Sequence, residues 1–312
     1  MRIAICSAEP YINKIDEDIW LRDSLIQKGC SAEIVAWDST ISWQLYDCAV
    51  LRSAWGYQHK LNEFLSWLDM LDMLNIPLFN STETVRKNIY KNLQIKELLE
   101  KNIPFIPTII VSSNTDICTD QSGIIAAEDS LLNTINSNFE NGSLFVMKPV
   151  VSASGHNTML IDTDESSQFR DVLFINEAEA KFKELLEKFS NVGIIIQPYI
   201  AEIENGEYAV VYIDGIFRHC ALRFPAIFDG VKDAQPMPNP PAEVLELSAT
   251  VMASFSETPT YARIDIINTA TGPILMEVEL AEPSLLYRCV SHTTPQNAVD
   301  YFADAIIKNM KA

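Results

Sequence analysis

Met276-Glu277-Val278-Glu279-Leu280-Ala281-Glu282-Pro283, with Arg263-Ile264-Asp265 upstream, is the stretch whose reading decides the fold. In an extended strand, side chains i and i+2 share a face. Glu277 therefore projects with Glu279, and Arg263 with Asp265. The intervening Asn268-Thr269-Ala270-Thr271-Gly272-Pro273 carries the glycine and proline of a hairpin-like turn. Two adjacent strands then offer three carboxylates and one guanidinium on a single face. Hard oxygen donors at that density suit Mg²⁺, which is held by a few carboxylates together with substrate phosphates. An isolated E-x-E would read as a solvated acidic face, and the paired R-x-D argues against that here. Glu282 is set aside: five positions beyond Glu277 it falls on the other face of a continuing strand, which Pro283 ends.

A chain of 312 residues, 48% hydrophobic and 21% charged, can bury a sizeable core in two or three modules. Its net charge of −19 argues against nucleic acid or an anionic membrane as partner. Six cysteines without C-x-x-C spacing (Cys6, Cys30, Cys48, Cys118, Cys220 and Cys289) read as reduced thiols rather than a disulfide frame or zinc site. The chain opens directly on the strand-like Arg2–Cys6, and no apolar run is long enough to span a bilayer. A soluble, cytoplasmic, enzyme-sized protein is expected.

Residues 1–80 read as a parallel α/β module: strands at Ile3–Cys6, Ala32–Trp37 and Cys48–Arg52, with helices over Asp18–Gly29 and Lys60–Leu74. Arg52, Ser53, Trp55 and Tyr57 lie at the carboxyl end of the third strand, where a substrate pocket or a packed loop is expected. One helix is expected over Thr82–Lys101 and another over Glu128–Asn138. Lys148 lies in the apolar strand Leu144–Val151 and needs a charge to meet. The small residues Ser152, Ser154 and Gly155 after it allow close backbone approach to an anion. A charged helix over Asn176–Ser190, a buried strand through Gln197-Pro198-Tyr199-Ile200 and a hairpin about Asp214-Gly215 follow. Residues 225–241, rich in proline, read as a loop, then come a helix over Glu243–Ser254 and a closing helix over 295–311. The four histidines (His59, His156, His219 and His292) show no ligand spacing.

Taken in order, four motifs resemble the ATP-grasp superfamily of carboxylate–amine ligases over nearly the whole chain. They are Arg52-Ser53-Ala54-Trp55-Gly56-Tyr57, Asn88-Ile89-Tyr90-Lys91, Lys148-Pro149-Val150-Val151-Ser152-Ala153-Ser154-Gly155, and Glu277-Val278-Glu279-Leu280-Ala281-Glu282-Pro283. The branch they resemble contains the glutathione synthetase-like and cycloserine synthetase-like ligases. That resemblance implies an α/β (α+β) ATP-grasp fold: a parallel α/β substrate module over 1–80, a central subdomain and lid over 81–195, and a mixed-sheet module with the metal site over 196–312.

It also implies ATP and Mg²⁺ as cofactors and small-molecule carboxylate and amine substrates, and a homodimer is compatible with it. Lys91 and Lys148 would contact the phosphates, with Ser152, Ser154 and Gly155 in the covering loop. Gln197, Tyr199 and Ile200 would lie beside adenine, and Glu207 would hold the ribose. Asp265, Glu277 and Glu279 would bind Mg²⁺, and Arg263 would face the acyl phosphate or tetrahedral intermediate. Arg52, Ser53, Trp55, Tyr57 and Arg223 would meet substrate.

The chain departs from the pattern at Tyr90 and Gly56, where relatives carry aspartate, and at Phe228-Asp229-Gly230-Val231-Lys232, where an arginine is expected. Two other readings stay open: a nucleotide-binding scaffold that has lost catalysis, and a kinase that stops at the phosphorylated product.

Overall fold

The N-terminal strand–helix alternation folds into a parallel sheet, in a computed structural model that describes residues 1–117, 124–128, 130–140, 142–152, 157–164, 172–224 and 233–311. In chain order come β1 (Arg2–Ser7), α1 (Asp16–Gln27), β2 (Ser31–Ala36), β3 (Cys48–Leu51), α2 (Leu61–Met73) and β4 (Leu78–Phe79). Strand order is β2-β1-β3-β4, with every pair parallel. Ile3, Ile5, Cys48 and Val50 are wholly buried, as the central strands of a parallel sheet must be. Gly29, beyond the end of α1, has φ +85, a left-handed stop that costs glycine no Cβ clash.

The single helix expected over Thr82–Lys101 is instead two, α3 (Thr82–Ile89) and α4 (Lys91–Glu100). Tyr90, at φ −94 and ψ 85, is not helical and caps α4. The break falls where the chain passes between two compact units. One contains Met1–Asn88, Asn205–Phe224 and the chain from Asp233 onward; the other contains Ile89–Glu204. Each half-helix follows its own unit.

The second unit continues with β5 (Ile109–Ser112), β6 (Ile125–Ala126), α5 (Leu131–Asn138), β7 (Leu144–Pro149), β8 (Met159–Asp162), β9 (Leu173–Phe174), α6 (Ile175–Lys188) and β10 (Ile194–Pro198). Ser130 caps α5 by accepting a hydrogen bond from the Asn133 N–H, so this helix starts three residues later than expected. The sheet order is β6-β5-β10-β7-β8-β9. Phe145, Met147, Ile194 and Ile196 pack one face of it against Leu131 and Ile135 of α5 and Phe182 and Leu185 of α6.

Returning to the first unit, β11 (Glu207–Ile213), β12 (Ile216–Phe224), β13 (Asp233–Pro236), α7 (Ala242–Ser254), β14 (Tyr261–Thr269), β15 (Gly272–Glu279) and α8 (Pro295–Asn309) complete the fold. The five strands form an antiparallel sheet of order β13-β12-β11-β14-β15. Asp214 and Gly215 both have positive φ, 52 and 73, the requirement of a tight turn whose twist matches its strands. β13 lies inside the segment expected to be a loop; as an edge strand it tolerates proline at its end. The rest of that segment, 225–232, lies outside the described residues. Val211, Ile213 and Tyr261 enter the same apolar core as Ile3, Ile5, Leu21 and Phe302, so the two sheets and α8 of this unit share one interior. Among the described residues, no helix is long and apolar enough to cross a membrane.

Candidate functional site

The β14–β15 hairpin forms as its alternation requires, with Arg263 opposite Glu279 and Asp265 opposite Glu277. Register across the sheet adds two more charges to that face. Asp265 pairs with Ala209 of β11, and Glu207, two residues before Ala209, pairs with Arg223 of β12. Ala209 and Ala221, opposite each other between the charged positions, keep this face shallow. Along β14 the face runs from Tyr261, buried in the core, through Arg263 to Asp265.

Asp265, only 2% exposed, is gripped from two sides. Arg263 donates to it from Nε (2.9 Å to Oδ1) and from Nη2 (2.9 Å to Oδ2). Arg223 Nη1 reaches its Oδ2 at 2.9 Å and stands 3.5 Å from Glu207. Arg263 also lies 3.5 Å from Glu279 and donates to the Ser284 carbonyl at 3.1 Å. Burial alone would disfavour the Arg263 charge, but Asp265 and Glu279 outweigh it and raise its pKa further. Burial, then repulsion from Asp265, pushes the Glu207 carboxyl above its ordinary range. Four carboxylates (Glu207, Asp265, Glu277 and Glu279) thus face two guanidiniums (Arg223 and Arg263), an unbalanced acidic patch on a partly buried face.

Among the described residues, no three His, Cys, Asp or Glu side chains converge closely enough to hold a metal ion. Asp265 is instead bonded to the two guanidiniums. The donor chemistry nonetheless fits Mg²⁺: hard oxygens, an excess of negative charge, and Glu277 in register beside Asp265.

Gly206 sets the entry of Glu207. It has φ +103, and a Cβ placed there would lie 2.6 Å from Leu222 Cγ. Gly206→Ala is expected to lower stability by about 1–3 kcal/mol, read from the denaturation midpoint. No change there would show that the turn tolerates a side chain.

The Arg52–Tyr57 loop is largely packed into the protein. Arg52 and Ser53 are buried at 3% and 2% exposure. Arg52 Nη2 donates to the Pro283 carbonyl (2.9 Å) and meets Glu17 (3.3 Å), so it ties the loop to the chain beyond β15. Glu17 in turn accepts from the Leu285 N–H at 2.8 Å and the Ser284 hydroxyl at 3.1 Å. Ser53 donates to Asp18 and shares a 2.8 Å hydrogen bond with Ser7. Trp55, half-buried, donates its indole N–H to the Glu282 carbonyl at 3.2 Å. Tyr57 stacks on Phe64 at 4.8 Å; burial, then Glu282, Glu279 and Glu277, raise its phenol pKa, so its hydroxyl lies in the field of the acidic face. Glu282 is buried at 4% and lies beyond the strand, which already ends at Glu279. Glu17 and Asp18 were not foreseen, since Asp16-Glu17-Asp18 looks like any acidic first turn of a helix.

Burial pushes the Asp18 carboxyl up to about 6, against the opposing pull of Arg52 and Ser53. The folded state then holds this proton more tightly than the unfolded chain. Its contribution to stability is complete below the ordinary carboxylate range and is lost as pH rises through about 6. The slope is at most about 1.4 kcal/mol per pH unit for one proton. Asp18→Asn should flatten the stability profile between about pH 4 and 6, the window set by that shift; parallel profiles would rule out Asp18 as the cause.

In the second unit, Lys148 of β7 is half-buried and pairs with Ile195 of β10, while Gln197 pairs with Val146. Lys148, Val146 and Gln197 therefore share the sheet face opposite the packed helices. Gln197, 3% exposed, donates to Thr108 Oγ1 at 2.7 Å. Tyr199 donates to Glu204 at 3.0 Å, and Ile200 follows it, half-buried. Lys91 is the first residue of α4, and Ser152 is buried at 8%. Ser154, Gly155 and His156 lie outside the described residues.

Residues 3–80 match the family model described as "D-cycloserine synthetase DcsG, N-terminal domain". The cycloserine biosynthesis protein DcsG of Streptomyces lavendulae is 24% identical over 299 residues, covering 91% of this chain and 90% of that protein. The crystal structure of D-cycloserine synthetase DcsG superposes with a TM-score of 0.79 at 19% identity, over 99% of this chain and 100% of the other. D-alanine–D-alanine ligase from Bacillus anthracis, also solved with ATP, gives 0.68 at 15% identity over 100% and 99%. The chain has the fold of the ATP-grasp ligases, and its residues 3–80 are similar to the N-terminal domain of D-cycloserine synthetase.

Proposed function

We propose that this protein is an ATP- and Mg²⁺-dependent, ADP-forming carbon–nitrogen ligase that activates the carboxylate of a small amino acid or peptide for attack by an amine. The observation that carries this reading is the face shared by Arg263, Asp265, Glu277 and Glu279. A carboxylate is a poor electrophile, and phosphorylation by ATP turns it into an acyl phosphate with a good leaving group. Bound Mg²⁺ would supply charge neutralisation on the transferring phosphoryl group. Asp265, Glu277 and Glu279 would hold it, and Lys91 and Lys148 would meet phosphate oxygens as point charges.

Asp265 would exchange its guanidinium partners for the cation, freeing Arg263 to stabilise the oxyanion that forms when the amine attacks. Gln197, Tyr199 and Ile200 would line the adenine site, and Glu207 would accept from the ribose. Trp55 and Tyr57 would border the substrate, with Arg52 and Ser53 holding their loop. In this reading residues 81–195 act as the central subdomain, and Ser152, Ser154 and Gly155 belong to its phosphate-covering loop. Ring closure onto an amine of the same molecule is the variant favoured by the similarity of residues 3–80 to cycloserine synthetase.

Hydroxylamine tests the scheme, because it stands in for the amine and traps an acyl phosphate as a hydroxamate. With ATP, Mg²⁺ and a panel of amino acids and dipeptides, ADP and hydroxamate are expected in equal amounts. AMP and pyrophosphate as products would overturn the acyl-phosphate route. The grip of two arginines on Asp265 favours a second reading, a nucleotide-binding protein without turnover. Equal thermal stabilisation by ATP with and without Mg²⁺, and no hydroxamate from any acid, would establish it instead.

A further inference from the structure

Two buried asparagines that no step above uses hold the end of the carboxylate strand. Asn88, 7% exposed, donates from Nδ2 to the Val278 carbonyl (2.7 Å), and its Oδ1 accepts from the N–H groups of Leu280 (2.9 Å) and Ala281 (3.0 Å). Asn80, 3% exposed, donates to the carbonyls of Leu280 (2.8 Å) and Tyr261 (2.9 Å). Its Oδ1 accepts from the N–H of Thr260 at 2.7 Å.

β15 stops pairing at Glu279, yet Leu280 and Ala281 remain buried at 3% and 1%. Their backbone groups need partners, and water cannot reach them. The asparagine side chain reproduces a peptide group, with one acceptor and a donor side by side. Asn88 therefore continues the ladder for two residues past the strand's end. Its bonds fall on both sides of Glu279, at Val278 and at Leu280. The Glu279 backbone is pinned, while its side chain is 22% exposed and lies 3.5 Å from Arg263.

We infer that Asn88 is a positioning residue for Glu279, with Asn80 supporting the same turn from the β14 side. The inference rests on the ligase reading, in which Glu279 is a Mg²⁺ ligand. Magnesium demands near-ideal octahedral geometry, so a small shift of one carboxylate weakens it. Aspartate at 88 would lose the donor facing the Val278 carbonyl, and serine would be too short to bridge both sides.

The test measures Mg²⁺ binding to the ADP complex by calorimetry for the wild type, Asn88→Asp and Asn88→Ser. Both variants are expected to bind Mg²⁺ at least about tenfold more weakly, with ADP affinity in the absence of metal unchanged. Amide exchange at Leu280 and Ala281 should be slow in the wild type, slower still with Mg²⁺ and ADP than with ADP alone, and fast in the variants. Folded variants with fast exchange but unaltered Mg²⁺ affinity would overturn the inference. So would wild-type amides whose exchange ignores the metal, a measurement that needs no variant to fold. A wild type that binds ADP but no Mg²⁺ would instead overturn the ligase reading beneath it.

Discussion

Asp265→Ala is expected to lower the stability of the ligand-free protein by about 3 kcal/mol, near the lower end of the cost of removing one partner from a buried ion pair. Arg263 is 7% exposed and directs its Nε and Nη2 donors at Asp265, and Arg223 adds a third contact at 2.9 Å. Without that carboxylate two guanidiniums press together on a face that water reaches poorly. Glu279 and Glu207, each 3.5 Å from one arginine, hold the loss below the upper range. Urea denaturation measures it, and Asp265→Ala combined with Arg263→Met should recover part of the loss by removing the stranded charge. A single-variant loss below about 1 kcal/mol would mean the cluster behaves as an exposed surface pair.

Glu279→Gln is expected to behave in the opposite way, sparing the fold and removing turnover. Glu279 is 22% exposed and its contact with Arg263 is a loose 3.5 Å, so stability should change by less than about 1 kcal/mol. As the proposed cation ligand in phosphoryl transfer it would contribute where charge develops, and kcat for ADP formation should fall by about 10²–10³-fold. The contrast between the two variants is informative because the residues lie on one sheet face. In the ligase reading, Asp265 would couple the cation site to the fold, and Glu279 would serve chemistry. A fully active Glu279→Gln enzyme would remove Glu279 from the metal site.

The acidic face was legible because strand alternation is local. Arg263 with Asp265 and Glu277 with Glu279 need only a period of two, and Gly272-Pro273 marks the turn between them. The addition of Glu207 and Arg223 depends on the register of β12, β11 and β14, a non-local property that no spacing in the chain records. The N-terminal parallel sheet was legible from local signals too, since β1 carries the apolar run Ile3–Cys6 and β3 is apolar throughout.

The helix break at Tyr90 was not legible, because the surrounding residues suit a continuous helix and the interruption coincides with the boundary between compact units. β13 was hidden by Pro236, Pro238, Pro240 and Pro241, which mimic a loop, yet only Pro236 falls within the edge strand. Arg52 and Ser53 sit at a strand's carboxyl end, where a substrate residue and a buried clamp look alike. The partners of Arg52 and Asn88 lie 231 and 192 residues away, which no local spacing records.

The most direct test of the ligase chemistry follows oxygen. A substrate identified by hydroxamate formation is labelled with ¹⁸O in its carboxylate and turned over with ATP, Mg²⁺ and an amine. Attack of the carboxylate on the γ-phosphate, then displacement by the amine, must carry one labelled oxygen into the released orthophosphate, alongside ADP. Unlabelled orthophosphate from a reaction that still forms the amide would contradict an acyl-phosphate intermediate.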